Sequence, residues 1–301
     1  MNIVGENRWW QRLLYFYLPL GVFVAMLLFP FYWMFIVSFR PDKDLLNTER
    51  NPFLPHILQR TDGSGFPWIE LNTTSVTLRH YKYLFSDTEF SRWLQNTIIV
   101  TVGATVLALT CSIFIGYALG RFRFRGGTIM GAAIFIAYLV PPTLLFIPLA
   151  EIVARFGLYN RYWALILTYP TFLIPFASWL LMGYFQTISG ELEDAALVDG
   201  ASRLQAMRQI ILPLAMPGIL SAGIFCFTLA WNEFLYALVF MGTGDMKTIP
   251  VGVVSDLIKA DVYFWGPLMA AAVLGSVPVA IAYSFFVDNY VSGLTAGATK
   301  G

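Results

Sequence analysis

Six long apolar stretches constrain this chain more than any other feature of its sequence. A helix needs about 20 apolar residues to cross the hydrocarbon core of a bilayer, and it satisfies its own backbone hydrogen bonds there. The stretches that reach this length are residues 14–39, 97–119, 128–150, 163–185, 218–241 and 266–287. The sequence therefore predicts an all-α polytopic membrane protein with six transmembrane helices.

The composition excludes several other classes of protein. Hydrophobic residues make up 57% of the chain and charged residues 12%, against roughly 45–50% and 25% in soluble domains, which excludes a soluble enzyme and a disordered chain. The net charge of +1 provides no basic field, so we expect no nucleic-acid partner. The two histidines, His56 and His80, are too few for a histidine-rich metal site. Cys111 and Cys226 lie in apolar stretches and are interpreted as packing residues.

The distribution of charge predicts the orientation of the spans. Residues 121–127 carry three arginines, and the positive-inside rule places so short a loop in the cytoplasm. Both termini and the loop 186–217 then lie in the cytoplasm, and residues 1–39 form an uncleaved anchor that includes the first span. Residues 40–96 form a polar extracytoplasmic segment. This segment holds seven basic and seven acidic residues, but at about 57 residues it approaches the length at which the rule loses force.

Prolines and glycines predict local features inside the spans. The adjacent Pro141 and Pro142 remove backbone donors near the middle of the third span, so we expect that span to bend or break there. Gly116-xxx-Gly120 matches the small-residue pattern that lets two membrane helices approach closely.

The loop between the fourth and fifth spans is polar yet rich in good helix formers. It reads 190-GELEDAALVDGASRLQAMRQIILPLAMPG-218. Acidic residues in its first turns favour a helix start, and Gly200 permits a stop or bend. We predict a short helix, a break at Gly200 and a second amphipathic helix that ends at Pro213 and Pro217. An ordinary solvated loop is the alternative interpretation.

Helical spacing predicts which side chains of this loop share a face. In the first helix, four residues fall at helical spacing: Leu192, Ala195, Ala196 and Asp199. In the second helix, one face is expected to hold Leu204, Met207 and Ile211. The small alanine pair would leave a flat patch that another backbone can approach.

The same loop resembles a known motif. The runs Glu193-Asp194-Ala195-Ala196, Asp199-Gly200-Ala201 and Ile210-Ile211-Leu212-Pro213 are similar to the EAA motif of binding-protein-dependent ABC importer permeases. Four further stretches resemble the MalG-type sugar permeases of that family: 95-QNTIIV-100, 138-YLVPPTLLFIPL-149, 231-WNEFLYAL-238 and 293-GLTAGATKG-301. One residue departs from the pattern, because Asp194 stands where the family usually has the glutamate of the motif.

The resemblance implies the transmembrane fold of a type I ABC importer, with a core at 94–288 and a cytoplasmic tail at 289–301. The loop 190–217 would carry the coupling helix, which docks on an ATPase through Glu193, Asp194, Ala195, Ala196, Asp199, Gly200, Ala201 and Arg203. The implied partners are a second, MalF-type permease, two ATPase subunits, an extracytoplasmic solute-binding protein and membrane lipid. ATP and magnesium would bind to the ATPase, because this chain has no P-loop motif and is expected to hold no cofactor or metal. The implied location is the cytoplasmic membrane of a bacterium or archaeon, and the implied substrate a carbohydrate or related polyol.

One ionisable residue, Glu233, lies well inside a predicted span. Because a charge in lipid is costly, Glu233 either lines a translocation path, where it and Asn232 would bind sugar hydroxyls, or braces the fifth span against a neighbour. Trp231 and Tyr236 would offer ring faces to a sugar or belong to an interfacial aromatic belt.

Two other functions stay open from the residues alone. One is a secondary transporter or channel that uses Glu233 in the membrane. The other is an intramembrane enzyme, which would need clustered Asp, His or Ser chemistry that we do not find in the sequence.

Overall fold

The chain is described here by a computed structural model that covers residues 9–45 and 76–298. The middle of the predicted extracytoplasmic segment, residues 46–75, lies outside the described residues. The helices are α1 Leu13–Ser38, α2 Arg79–Asp87, α3 Phe90–Arg121, α4 Gly127–Tyr138, α5 Pro142–Arg155, α6 Tyr162–Thr187, α7 Gly190–Val198, α8 Arg203–Leu214, α9 Met216–Trp231, α10 Leu235–Phe240, α11 Ile249–Leu257 and α12 Trp265–Ala298. Strands β1 Ile258–Lys259 and β2 Val262–Tyr263 form a hairpin, and short helical turns occupy Trp9–Arg12, Asp42–Leu45 and Gly244–Met246.

The described helices provide four to six candidate spans. Helices α1, α3, α6 and the Trp265–Phe285 part of α12 are each long and apolar enough to cross a membrane. Two bent pairs pass the same test: α4 with α5, bent by 93°, and α8 with α9, bent by 76°. Counting each pair as one span gives six, although the second pair includes α8, which belongs to the predicted cytoplasmic loop 186–217 and not to the predicted fifth span. The break between α4 and α5 falls at Pro141, which confirms the predicted interruption of the third span.

Several boundaries differ from the prediction. Helix α3 begins at Phe90, inside the segment expected to be a polar connection, and α12 continues to Ala298 through most of the expected tail. The prediction of an all-α chain omits the β1–β2 hairpin, in which Ile258 pairs with Tyr263 and Lys259 with Val262. The length of an apolar stretch sets a minimum for a span but does not show where the helix begins or ends. The helix ends were therefore not predicted correctly.

The predicted fifth span is not one helix. Helix α9 ends at Trp231, and α10 begins at Leu235. In the gap, the Glu233 carboxylate accepts hydrogen bonds from the backbone N–H groups of Tyr236 and Ala237, at 2.8 Å and 3.0 Å. Glu233 therefore caps the start of α10, where the backbone donors lack partners within the helix.

The chain divides into two compact units. One comprises Met1–Thr88 and Leu257–Leu274, and the other Glu89–Asp256 and Gly275–Gly301. In the first unit, His80 in α2 is buried and its Nε2 lies 2.8 Å from the Arg40 carbonyl oxygen. Much of α1 presents apolar side chains outward, as with Tyr15 and Met26, which is the surface that lipid requires.

The core of the second unit lies between α3, α6 and α9. Its fully buried members include Ala104 and Ala108 of α3, Leu173 of α6, and Ala222 and Cys226 of α9. Both cysteines are free, as expected of packing residues.

Helices α3 and α6 approach closely because of the predicted glycine pair. A Cβ atom at Gly116 would lie 2.9 Å from the Cβ of Leu181, and one at Gly120 would lie 3.0 Å from the Met182 carbonyl oxygen. This contact brings the C-terminal ends of α3 and α6 together, directly beside the start of α7.

Candidate coupling site

Helix α7 is a short helix with defined ends. Ser189 is its N-cap, with the hydroxyl oxygen accepting a hydrogen bond from the Glu191 N–H at 3.3 Å. At the other end the Gly200 N–H donates to the Leu197 carbonyl at 3.1 Å, and the Ala201 N–H donates to the Ala196 carbonyl at 3.0 Å. These two bonds form a Schellman motif, which requires a left-handed residue. Gly200 supplies it, with φ at +91°.

Helix α8 begins immediately after this turn. The Ser202 hydroxyl oxygen accepts from the Gln205 N–H, and the Gln205 side-chain oxygen accepts from the Ser202 N–H at 2.7 Å, which together make a capping box. The Ser-x-x-Gln spacing is visible in the sequence but was not used in the prediction. The loop thus contains the predicted helix, glycine break and second helix. The Schellman motif that ends α7 lies directly before the capping box that begins α8, and together they define the turn.

The buried face of α8 differs from the predicted one. Met207 and Ile211 are buried as expected, but Leu204 is 65% exposed and Ala206 takes its place in the interior. Residues Met207–Ile211 form a π-helical turn, whose wider winding changes the register of side chains around the axis. The helix also continues one residue past Pro213 and bends at Ala215.

Glu193 points inward, which contradicts its expected place in the ATPase contact. Its carboxylate accepts from the Arg121 Nε–H at 2.9 Å and from the Tyr117 hydroxyl at 2.7 Å. The Arg121 and Glu193 side chains are 8% and 7% exposed. Arg203 lies farther off, with 3.9 Å between its Nη1 and the Glu193 Oε1, and is itself largely exposed. From the sequence alone, Arg121 was assigned only a role in orientation, because nothing local indicates a partner 72 residues away.

The outward side of α7 is apolar with acidic residues beside it. Glu191 is exposed near the start of the helix, and five further exposed residues are Leu192, Asp194, Ala195, Val198 and the C-cap residue Asp199. We call these five residues the outer face of α7. Val198 is 87% exposed, whereas Ala196 is only 8% exposed. The four residues expected on one face are therefore divided, with Ala196 inside and the others outside.

An open groove of about 980 Å³ lies next to the outer face. Its lining comes from the end of α3, the end of α6 and the starts of α7 and α8, and includes Arg123, Gln186, Asp194 and Arg203. The groove therefore combines exposed groups of both charges.

The residues predicted for a translocation path lie at and around the break between α9 and α10. Trp231 is 4% exposed and its Nε1–H donates to the Gly275 carbonyl at 3.1 Å. Tyr236 is fully buried and its hydroxyl donates to the Pro142 carbonyl at 2.9 Å. Each ring therefore packs in the core of the chain with its polar atom bonded to a carbonyl. Asn232 is exposed, and its amide donates to the Thr228 carbonyl at 2.8 Å.

Both roles predicted for Glu233, in a translocation path or in bracing the fifth span, stay predictions. Glu233 caps α10, as described above, and it also lines a cavity of about 380 Å³. The other residues of that cavity are Tyr138, Pro142, Phe172 and Leu229. The Tyr236–Pro142 bond joins the broken fifth span to the broken third span at this level.

Within the described residues, no group of three His, Cys, Asp or Glu side chains is placed to hold a metal ion. The ionisable cluster around Glu193 contains arginine and tyrosine instead. Its arrangement can fix a helix in position, and it offers no ligand set for metal chemistry.

Comparison with known families agrees with this architecture. Residues 112–295 match the family model described as binding-protein-dependent transport system inner membrane component. The chain belongs to this family and is a permease subunit of an ABC transport system in the membrane. The resemblance drawn from the EAA-like loop is confirmed, and the secondary transporter and the intramembrane enzyme are set aside.

Individual relatives match over most of the chain. The inner membrane ABC transporter permease protein YcjP of Escherichia coli is 35% identical over 95% of this chain and 96% of its own. The sulfoquinovosyl glycerol transport system permease protein SmoH of Agrobacterium fabrum is 34% identical over 91% and 89%, respectively. The trehalose/maltose transport system permease protein MalG of Thermococcus litoralis is 33% identical over 91% and 92%.

A solved structure shows the same fold. A chain from the crystal structure of a bacterial ABC transporter involved in the import of the acidic polysaccharide alginate superposes with a TM-score of 0.74. The match covers 95% of this chain and 99% of that one, at 22% sequence identity. The fold of this chain is therefore that of a type I importer permease.

Proposed function

We propose that this chain is the permease subunit of an ATP-driven importer for a carbohydrate or a related polyol. It forms half of the translocation pathway together with a second, homologous permease of MalF type. Two cytoplasmic ATPase subunits hydrolyse ATP with magnesium, and an extracytoplasmic solute-binding protein delivers the substrate. Membership of the transport family supports the role, and relatives named for sulfoquinovosyl glycerol and trehalose/maltose support the substrate class.

The outer face of α7 carries the coupling part of this proposal. Apolar side chains such as Leu192 and Val198 are left exposed by the described part of the chain, which is typical of a protein contact surface. Ala195 is small enough to allow close approach of another backbone. Asp194 and Asp199 add negative charge that a basic cleft would recognise. A short helix with both ends defined transmits a rigid-body movement better than a flexible loop does.

The proposed orientation places α7, the loop 121–127 and both termini in the cytoplasm. The three arginines of that loop support it through the positive-inside rule. It is also the orientation that lets the outer face meet a cytoplasmic ATPase.

Substitutions at Asp194 test the ATPase contact. Asp194→Glu keeps the charge, Asp194→Asn removes it and Asp194→Lys reverses it. A charge-assisted contact is worth about 1.5–3 kcal/mol when shielded from water, and exposed pairs fall to about 0–1 kcal/mol. We expect Glu to retain most transport, Asn to be partly impaired and Lys to lose ATPase subunits during purification of the complex.

The control is the same charge reversal at Asp87, an exposed residue at the end of α2. Asp87→Lys should leave ATPase co-purification unchanged. If Asp194 only complements the start of α7, an effect of about 0.3–1 kcal/mol, Asn will be nearly silent. Equal ATPase association for Asp194→Lys and wild type would refute a charged contact at this position. The substrate class is checked separately, by a thermal-shift screen of sugars and polyols on the cognate binding protein.

A further inference from the structure

One guanidinium joins three segments of the chain at the base of α7. Arg121 is the last residue of α3, and its Nε–H donates to the Glu193 carboxylate of α7 at 2.9 Å. Its Nη1 donates to the Ile188 carbonyl at 2.7 Å, and its Nη2 donates to the Ser189 carbonyl at 3.2 Å. Those two carbonyls belong to the connection between α6 and α7. The side chain therefore holds the end of α3 to the entry and to the first turns of α7.

The attachment of α7 to the rest of the chain is otherwise slight. Of its nine residues, the buried ones are Glu193 and Ala196. Ala196 contributes a single methyl group, so Glu193 provides the main polar anchor. Its carboxylate has three neighbours that donate hydrogen bonds or carry positive charge, namely Tyr117, Arg121 and Arg203.

The chemistry of the pair favours positioning over stability as its purpose. A buried ion pair loses much of its attraction to the cost of removing both charges from water, and apolar replacements are often as stable. An apolar pair, however, cannot fix the relative orientation of two helices through directional hydrogen bonds. A guanidinium presents several donors in a fixed planar fork, which suits three acceptors at separate places, whereas a lysine ammonium is a single point charge.

We propose that Arg121, acting through Glu193, is a positioning residue that passes the movement of α7 to α3. This inference rests on the proposed role of α7 in ATPase coupling and goes beyond it. The chain continues from α6 into α7, so these two helices are connected covalently, whereas α3 is held to α7 by the hydrogen bonds of the Arg121 side chain. Because Gly116 and Gly120 pack α3 tightly against α6, a displacement of α7 that pulls on Arg121 moves α3 and α6 together.

The experiment uses the complete transporter in proteoliposomes with its binding protein. Uptake and ATP hydrolysis are measured together for Arg121→Ala, Arg121→Lys and Glu193→Gln. We expect the ATPase subunits to stay bound, because the outer face of α7 is unchanged. We expect substrate imported per ATP hydrolysed to fall about tenfold in Arg121→Ala and Glu193→Gln, and Arg121→Lys to restore only part of it.

Two further variants make the test specific. The exchange Arg121→Glu with Glu193→Arg restores the opposite charges and should recover more coupling than either single change. Arg125→Ala removes an exposed arginine of the same loop and serves as the matched control, with unchanged uptake per ATP. Glu193→Gln preserves the shape of the side chain, so it remains informative if Arg121→Ala fails to insert.

The outcomes separate this inference from the proposed function. If the wild-type complex binds no ATPase subunits, or hydrolyses ATP without importing sugar, the proposed function is wrong. If the wild type is coupled and Glu193→Gln imports as much substrate per ATP as wild type, the inference about Arg121 is overturned. Equal losses in Arg121→Ala and Arg125→Ala would also overturn it, since they would trace to loop charge alone.

Discussion

Replacement of Gly200 should disable coupling through backbone strain alone. The residue has φ at +91°, and a Cβ atom built on it would meet nothing within 4 Å. Overpacking therefore contributes nothing, and the cost is that of placing an L side chain in the left-handed region. That cost is about 1–2 kcal/mol for alanine and smaller for asparagine, and a β-branched valine approaches the upper end of the range of about 1–3 kcal/mol.

A cost of 1–2 kcal/mol corresponds to a roughly 5- to 30-fold loss in the fraction of molecules that hold this turn. The Schellman bonds of Gly200 and Ala201 would break first, which frees the end of α7 from the start of α8. We expect uptake to decrease in the order Gly200→Asn, Gly200→Ala, Gly200→Val. Normal membrane levels, with weakened ATPase association or loss of ligand-stimulated hydrolysis, should accompany the loss.

The assay is radiolabelled substrate uptake by cells that express each variant at matched levels, followed by ATPase co-purification. Gly190→Ala is the matched control, because Gly190 begins the helix that Gly200 follows, a Cβ atom built on it would meet no described atom within 4 Å, and it does not adopt a left-handed φ. Its uptake should equal wild type. Wild-type uptake by Gly200→Val at normal protein level would refute the reasoning.

Two other predictions follow from the site and the orientation. Glu233→Leu removes the cap of α10, which should lower the stability of the permease by about 0.5–2 kcal/mol, and Glu233→Gln should retain part of that stability. Thermal unfolding of the purified permease measures both effects, and an unchanged midpoint for Glu233→Leu would contradict a capping role. For the orientation, single cysteines in place of Ser202 and Asp261, both exposed, should react differently with an impermeant thiol reagent added to intact cells. Labelling at position 261 and protection at 202 is the expected pattern, and the reverse would invert the proposed topology.

Features with a local physical cause could be read from the sequence. Apolar length determines whether a segment can cross a bilayer, so the six spans were predictable. The adjacent Pro141 and Pro142 both lack a backbone donor, so a break at that pair was predictable, whereas single prolines such as Pro148 and Pro278 lie inside helices. Gly200 ends α7 because only a residue without a side chain adopts the left-handed turn at little cost. The family resemblance likewise depends on a contiguous run of residues.

Features that depend on distant partners were decided by the tertiary structure. Glu193 and Asp194 are adjacent acids on one short helix, and nothing in their spacing shows which is buried. Glu193 turns inward because Arg121 and Tyr117 of α3 meet it there. The burial of Trp231 likewise depends on a distant partner, because its indole N–H donates to a carbonyl 44 residues away.

The break at 232–234 shows why apolar periodicity fails inside the membrane. A helix in lipid is apolar all round, so its sequence carries little record of the face that packs or of the residue at which it ends. The role of Glu233 at the break becomes clear only from the structure, in which its carboxylate accepts hydrogen bonds from two N–H groups of α10. The sequence determined which segments enter the membrane and where prolines and glycines interrupt them. The tertiary structure determined which charges pair and which face of α7 stays open, because those choices depend on atoms that only folding brings together.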